Sequence, residues 1–265
     1  MKKSDAVVLI TGGSAGIGRA CAALLADMGC HVYEVSRSGK DANGIHHMDG
    51  DVRNEMDVCA AIEQVIALEG RIDVLINNAG YGISGAVEFT ETNAAQDLFD
   101  VNYFGSVRAV RAAASHMRKQ RSGRIVNISS VAARIPIPFQ THYSAAKAAL
   151  DAYTLALDSE LRPYGVRAIS VLPGDIRTSF TESRQKQHIG DDLYSGRISR
   201  SVAGMEKDEQ NGMSPERAAR TIIRAALAKR PPRACVVGGK YRIFLFLQKI
   251  LPAALVRRIV EHLYG

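Results

Sequence analysis

Cysteine is scarce and dispersed. Cys21, Cys30, Cys59 and Cys235 form no C-x-x-C pair, and each lies in or beside an apolar segment. Buried thiols in a reducing compartment fit this pattern better than a disulfide framework or a zinc site. The histidines show no H-x-x-x-H or comparable spacing, so no metal is expected. Long apolar runs are also missing: no stretch approaches the ~18 residues that span a bilayer. Lys2 and Lys3 precede only the short run Ala6–Ile10, too little for a secretory h-region. The expected location is cytoplasmic, with a peripheral membrane contact as an option. Repeats, low-complexity tracts and a dividing linker are absent too, so residues 1–265, 46% apolar, read as one folded domain with a large core. Acidic residues are short in one place. From Ser214 to Gly265 eleven Lys/Arg face two Asp/Glu, against a net charge of +7 for the whole chain.

What is present alternates between two patterns. Ala6–Thr11 reads as a buried strand that runs into a glycine turn. Cys21, Leu24, Leu25 and Met28 follow at helical spacing, with Gly29 placed to cap that helix. A second strand is expected at HVYEVS (31–36), a helix over Val58–Leu68 and a third core strand at Val74–Ile76. RIVNIS (124–129) and RAISVL (167–172) read as further strands, separated by helical stretches around 94–118 and 142–162. Pro215–Lys229 looks helical, and ACVVG (234–238) looks like a last strand. Strands alternating with helices imply a doubly wound α/β fold of Rossmann type. We expect about seven parallel strands, helices on both faces and a C-terminal helical tail.

The turn after the first strand, TGGSAGIGRA (11–20), fits two catalytic grammars. Gly12-Gly13-Ser14-Ala15-Gly16 spells the G-x-S-x-G elbow of serine hydrolases, while Gly12, Gly16 and Gly18 are spaced as in a dinucleotide-binding turn. An elbow needs an oxyanion N–H from an earlier strand-to-helix loop, and none precedes Ser14. His188 and His262 also lack a triad-like context. The dinucleotide reading explains more: glycines let the backbone approach a pyrophosphate, and the following helix N-terminus favours its charge. In such folds an acidic residue roughly 20 positions on binds the ribose 2′-hydroxyl. Here Ser36 and Arg37 stand in that region, and a guanidinium would hold a 2′-phosphate. A charge-assisted hydrogen bond is worth about 1.5–3 kcal/mol, enough to favour NADP(H) over NAD(H) by one to two orders of magnitude.

At this point the chain resembles the short-chain dehydrogenase/reductase family over roughly residues 5–180. The resemblance rests on TGGSAGIG, Asp51-Val52 after an implied third strand, NNAG (77–80), Asn102, ISS (128–130), YSAAK (143–147), and PG (173–174) with Thr178. It implies an oxidoreductase with Asn102, Ser130, Tyr143 and Lys147 as catalytic residues. It further implies a cofactor seat of Gly12, Ser14, Gly16, Ile17, Gly18, Ser36, Arg37, Asp51, Val52, Asn78, Ala79, Gly80, Tyr143, Lys147, Pro173, Gly174, Ile176 and Thr178. Helices 94–118 and 147–162 match those through which family members form dimers or tetramers.

The chemistry of the pair can be argued directly. Tyr143 and Lys147 lie at i and i+4, hence on one helical face. A free tyrosine has a pKa of about 10, too high for an efficient base near neutrality. A shift of ~3 units by the ammonium would amount to roughly 4 kcal/mol of differential interaction. Ser130 would anchor the substrate oxygen; its neighbour Ser129 competes for that role, and the family spacing selects Ser130. Asn102, by resemblance, positions a water that links Lys147 to solvent. His142 is set aside as a base, since it does not share a face with Tyr143; a surface or capping role is expected.

Substrate readings are thinner. Residues 175–213 occupy the place of the family's mobile lid and read as a polar loop with dispersed apolar residues, Phe180 among them. IPIPF (135–139) is apolar and should border the substrate carbonyl, so Tyr81, Ser130, Ile135, Phe139, Tyr143 and Phe180 are the expected substrate contacts. No Arg or Lys is evidently placed to grip a carboxylate. We therefore expect a lipophilic secondary alcohol or ketone, in the manner of the hydroxysteroid and retinol dehydrogenase branch. The alternatives are a 3-oxoacyl-thioester reductase and a non-catalytic NADP(H)-sensing protein. The extension 240–265 carries Ile243–Leu247 and is punctuated by Lys249, Arg257 and Arg258. It reads either as an interfacial helix pair on a membrane or as a cover over the pocket. Nucleic acid is not an expected partner, because the basic segment lacks a reading motif.

Overall fold

A computed structural model describes residues 5–264; Lys2, Lys3 and Gly265 lie outside them. The first strand, β1 (Val7–Thr11), is buried along its whole length. Its alternate residues serve different cores, as the two-residue period of a strand requires. Val8 and Ile10 meet α1 (Gly16–Asp27) on one face through Cys21, Ala22 and Leu25. Val7 and Leu9 meet Ile62 and Val65 of α2 (Glu55–Glu69) on the other. Each such side chain taken fully out of water contributes roughly 1.5–3 kcal/mol.

Six further strands complete a seven-stranded, all-parallel sheet: β2 (His31–Ser36), β3 (Ile45–Asp49), β4 (Val74–Asn77), β6 (Gly123–Ile128), β7 (Val166–Pro173) and β9 (Ala234–Val237). The short β5 (Ile83–Ser84) lies apart and pairs with β8 (Gln185–Lys186). The sheet order is β3-β2-β1-β4-β6-β7-β9, so the direction of winding reverses between β1 and β4. Ligands of such sheets sit outside the carboxyl ends of the strands at that reversal. The apolar pattern does not announce β3. It is an edge strand, of which only Met48 is buried while His46 and Asp49 face water.

Long helices cover both faces. One face carries α1 and α8 (Pro215–Ala226), with Ile222 and Ile223 in the shared core. On the other lie α2, α4 (Gly105–Gln120) and α5 (Thr141–Leu161). The stretch expected as one helix begins as α3 (Thr92–Phe99) and reaches α4 through a π turn at Asp100–Phe104. Such turns frequently mark functional positions, and Asn102 sits within this one.

The lid segment differs from expectation. It is folded as α6 (Phe180–Ser183), β8 and the 14-residue α7 (Arg197–Gln210). Helix α7 buries Ile198, Val202 and Met205, an i, i+4, i+7 stripe sparse enough to be mistaken for a polar loop. The tail is helical, as expected: α9 (Gly239–Ile250) and α10 (Ala253–Tyr264), broken at Pro252. Among the described residues no helix is long and apolar enough to cross a membrane.

Candidate active site

The glycine turn after β1 and the NNAG segment after β4 meet where the winding reverses. Asn78 Nδ2 donates to the Gly12 carbonyl at 2.8 Å, and the Asn78 amide to Thr11 Oγ1 at 3.1 Å. Glycine is obligatory here. Gly12 has φ of 66°, and a Cβ on Gly18 would stand 2.3 Å from the Gly12 carbonyl oxygen. Helix α1 starts at this turn with no side-chain cap and no acid in its first turn. Its leading N–H groups are thus left to an anion. The donor set fits a dinucleotide pyrophosphate. Ser14 lies on the same cavity wall, and neither His188 nor His262 lines it.

A continuous cavity of about 740 Å³ runs from this turn to the C-terminal helices. At one end it is lined by Ser36, Arg37, Asp51, Val52 and Arg53, and along its floor by Gly12, Ser14, Gly16, Ile17, Asn78, Ala79 and Gly80. Pro173, Gly174, Ile176 and Thr178 form the opposite wall. Arg53 pairs with Asp51 at 2.6 Å. That bond, aided by Arg37, holds the Asp51 carboxyl below its ordinary range. Of the expected cofactor residues, only Gly18 does not face the cavity; its role in the structure is to let α1 pack against Gly12 and Asn78.

Sequence reasoning overlooked a carboxylate nearby. Glu34 points from β2 beneath Gly13, is 3% exposed, and accepts from Ser36 Oγ at 3.2 Å. It also bonds His47 Nδ1, while His47 Nε2 meets Asp49 at 3.0 Å. Burial would lower the His47 pKa, but the bonds to Asp49 and Glu34 outweigh it and raise the value. Glu34 does not line the cavity.

Tyr143, Lys147 and Ser130 come together midway along the cavity. A buried polar ladder positions them: Asn77 Nδ2 donates to Asn127 Oδ1 at 2.8 Å, and Asn127 Nδ2 to Thr154 Oγ1 at 2.8 Å. This ties β4 and β6 to α5. Both serines line the cavity; Ser129 donates to the Lys147 carbonyl at 2.8 Å, whereas Ser130 hydrogen-bonds Tyr143. Of the two, it is Ser130 that meets the phenol. Lys147 Nζ donates to the Ile128 carbonyl at 2.8 Å and stands 5.8 Å from the Tyr143 ring centroid.

Electrostatics run against the expected lowering of the phenol. Burial pushes Tyr143 up to about 12, only partly opposed by the Ser130 hydrogen bond, with Glu209 raising it further and Arg184 lowering it. Burial likewise brings Lys147 down to about 8. Lys147 does not offset the burial of the phenol, since its ammonium is held at the Ile128 carbonyl. The site holds a protonated phenol, suited to giving a proton.

Two further expected site residues do not line the cavity. Asn102 is fully buried and does not line the cavity; both ends of its amide are taken by the Tyr81 backbone, at 2.9 and 2.8 Å. It fixes the course of the chain after NNAG. Phe139 also lies off the cavity. Its φ of 59° turns the side chain under the lid, where it packs on Tyr194, Ile198, Val202 and Met205. Ile135, Ile137, Tyr81 and Phe180 do line the cavity, and the Phe180 ring lies 5.7 Å from that of Tyr143. His142 is neither surface nor cap: it is half-buried, and its Nε2 is enclosed without a partner.

At the substrate end the structure adds residues that no motif signals. Glu209 of α7 and Asp175 line the cavity. Glu209 is held by Thr181 Oγ1 at 2.6 Å and by Arg184, whose side chain is wholly buried with Nε and Nη1 unpartnered. Tyr241 of α9 donates to Asp175, and its ring lies against Gly174, where a Cβ could not fit. A helical period over 198–205 was the one available signal for α7 and, with it, Glu209.

Comparison with known proteins agrees with this architecture. The sequence pattern described as short chain dehydrogenase matches residues 6–189. The 3-ketodihydrosphingosine reductase of Bacteroides thetaiotaomicron is 38% identical over 246 residues, covering 92% of this chain and 91% of that protein. Dehydrogenase/reductase SDR family member 7B of Xenopus tropicalis is 31% identical over 265 residues, 94% of this chain and 82% of the relative. A solved short-chain dehydrogenase of Streptomyces avermitilis superposes with a TM-score of 0.85 at 29% identity, over 94% of each chain. ElxO with NADP bound superposes at 0.75 and 26% identity, over 90% of this chain and 99% of the other. By pattern, fold and relatives alike, the chain belongs to the short-chain dehydrogenase/reductase family of oxidoreductases.

Proposed function

We propose that the protein is an NADP(H)-dependent oxidoreductase that interconverts a ketone and a secondary alcohol on a lipophilic substrate with a long apolar portion. The observation that carries this reading is the sharing of one cavity by the glycine turn, the Ser130–Tyr143–Lys147 group and an apolar far wall. A nicotinamide dinucleotide held there supplies or accepts the hydride. Tyr143 gives its proton to the oxygen of the reacting carbon as charge develops on it, which suits the reductive direction. Ser130 hydrogen-bonds that oxygen and keeps it at the phenol. Lys147 places a positive charge beside the phenol as it becomes a phenolate, and its Ile128 bond fixes its reach. Asn102 positions Tyr81 and Gly80. Arg37, with Ser36, receives a 2′-phosphate; the buried Glu34 is kept out of its way by His47. The ketone lipid in the name of the Bacteroides relative supports the substrate class.

Two associations belong to this reading. A lipid ketone resides in membranes, and the basic, apolar α9–α10 would carry the enzyme there. Tyr103, Phe104 and Tyr153 pack edge to face at the surface between the π turn and α5, which favours self-association through α4 and α5.

The test is turnover by the full-length protein with NADPH or NADH. The panel would contain a long-chain 3-keto amino lipid, a steroid ketone, a retinoid, an acyl thioester and a short soluble ketone. The expected result is NADPH-dependent reduction of a lipid ketone, with kcat/KM about tenfold or more above that for the thioester. Preference for the thioester would replace this reading with an acyl-thioester reductase. NADPH binding without turnover on any carbonyl would leave a sensing protein.

A further inference from the structure

The two C-terminal helices violate the usual rule for helices of a folded domain, which bury their apolar stripe. Helix α10 buries none of its residues, and α9 buries only Leu245. Eight large apolar side chains of this pair stand exposed: Ile243, Phe244, Phe246, Leu247, Ile250, Leu255, Ile259 and Leu263. In α9, Ile243, Phe246, Leu247 and Ile250 follow i, i+3, i+4, i+7 and so form one outward stripe. Leu255, Ile259 and Leu263 repeat every four residues on α10. The same helices carry Lys240, Arg242, Lys249, Arg257 and Arg258 against the single acid Glu261.

Phe244, Leu247, Ile259 and Leu263 are exposed and also line the cavity that holds Tyr143. The apolar lining is thus continuous with the apolar outer face. A water-facing mouth would have a polar rim; this one is edged by phenylalanine, leucine and isoleucine, with cations beside it. The pair is nonetheless fastened to the site. Tyr241 donates to Asp175 of the cavity lining, Gln248 donates to the Arg134 carbonyl, and Tyr264 donates to Asp208 of α7 at 2.7 Å.

We propose that α9 and α10 form a lipid-facing mouth: their outer stripe rests in an anionic leaflet, and the cavity opens there so that substrate passes from the bilayer to Tyr143. The choice of a lipid surface over a second copy of this chain rests on charge. Even with Lys240 paired to Asp175 and Arg257 to Glu261, the two helices stay strongly basic, which repels the same face in a twofold pair, whereas anionic headgroups neutralise it. The substrate part of this inference rests on the proposed lipid-ketone activity; the docking part does not.

The chain contains no tryptophan, so Phe246→Trp installs a single reporter on the stripe, and Leu68→Trp, on the exposed face of α2, serves as control. The probe is a vesicle of phosphatidylcholine with or without phosphatidylglycerol. We expect blue-shifted emission and quenching by brominated lipid for Phe246→Trp on the anionic vesicles only, with no change for Leu68→Trp. The double variant Arg257→Glu/Arg258→Glu should weaken binding roughly tenfold or more. Ile243→Ser/Ile250→Ser should keep its rate on a short soluble ketone yet lose most turnover of a long-chain ketone embedded in vesicles. No shift at low salt would overturn the docking, as would a concentration-dependent shift without lipid, which would mark a second copy as the occupant. Docking with unchanged turnover of embedded ketone by the Ile243→Ser/Ile250→Ser variant would overturn the mouth. Absence of any ketone reduction by the wild type would sink the activity alone, since the fluorescence arm is independent of it.

Discussion

One cavity has two walls built by different means. The wall from β1 to α5 is made of backbone: glycines that admit no Cβ, turn amides at a helix N-terminus, and an amide ladder from Asn77 to Thr154. The wall from Asp175 onward is made of side chains on helices that are only partly buried. The first wall has little freedom, because shifting a buried backbone group leaves its hydrogen-bonding partner unpaired. The second can change ring by ring while the sheet stays intact. Generic chemistry belongs on the first wall, and substrate choice on the second.

The sharpest way to break that contrast is Tyr143→Phe. It removes the proposed proton source while keeping the ring, so kcat should fall by about three orders of magnitude or more, with NADPH affinity within a few-fold in a fluorescence titration. Surviving turnover would move the chemistry elsewhere. Next in size is Gly18→Val. Its side chain would collide with the Gly12 carbonyl oxygen, so NADPH binding should weaken by about 100-fold and thermal stability should drop. A tolerated valine would show that the glycine wall yields after all. Ile259→Ser, on the second wall, should alter KM for a lipid ketone and leave NADPH affinity unchanged.

This division also explains what could be read beforehand. The turn after β1, NNAG and the Tyr143–Lys147 spacing were legible because backbone geometry permits few residues there, and strands buried on both faces announce themselves by unbroken apolarity. Edge strand β3 was hidden by its polar outer residues. Helix α7 was hidden by a stripe of only three apolar side chains. Glu209, Arg184 and Tyr241 meet across long separations along the chain, with no local pattern to reveal them. Phe139 was misplaced because a left-handed backbone at a non-glycine residue is not readable from neighbours. The phenol's direction of shift was missed because its burial exists only in the fold.

Arg37→Ala sharpens the comparison on the first wall's own terms. The loss should be about 10- to 100-fold in kcat/KM with NADPH and small with NADH, if the guanidinium receives the 2′-phosphate as proposed. Equal losses with both cofactors would assign Arg37 to the general field of the site and remove the basis for the NADP(H) preference.

The smallest effect concerns pH and separates chemistry from stability. Lys147 is held at about 8 and Tyr143 at about 12. Above pH 8 the ammonium is lost while the phenol keeps its proton, so kcat/KM for reduction should fall, by up to about tenfold per unit, with an apparent pKa near 8. Stability moves the other way over that interval. A lysine lowered in the fold binds its proton less readily than in the unfolded chain, whose value is about 10.4, so between pH 8 and 10.4 the unfolded state holds more protons and stability from this residue rises with pH. Tyr143, raised in the fold, contributes stability below pH 10 that is lost as pH climbs toward 12. A declining rate between pH 8 and 9.5 with an undiminished melting temperature is therefore the signature of Lys147 acting at the phenol. Lys147→Arg, which cannot titrate there, should flatten that limb in whatever activity it retains. A wild-type rate level to pH 9.5 would show that the ammonium's charge plays no part in the proton step.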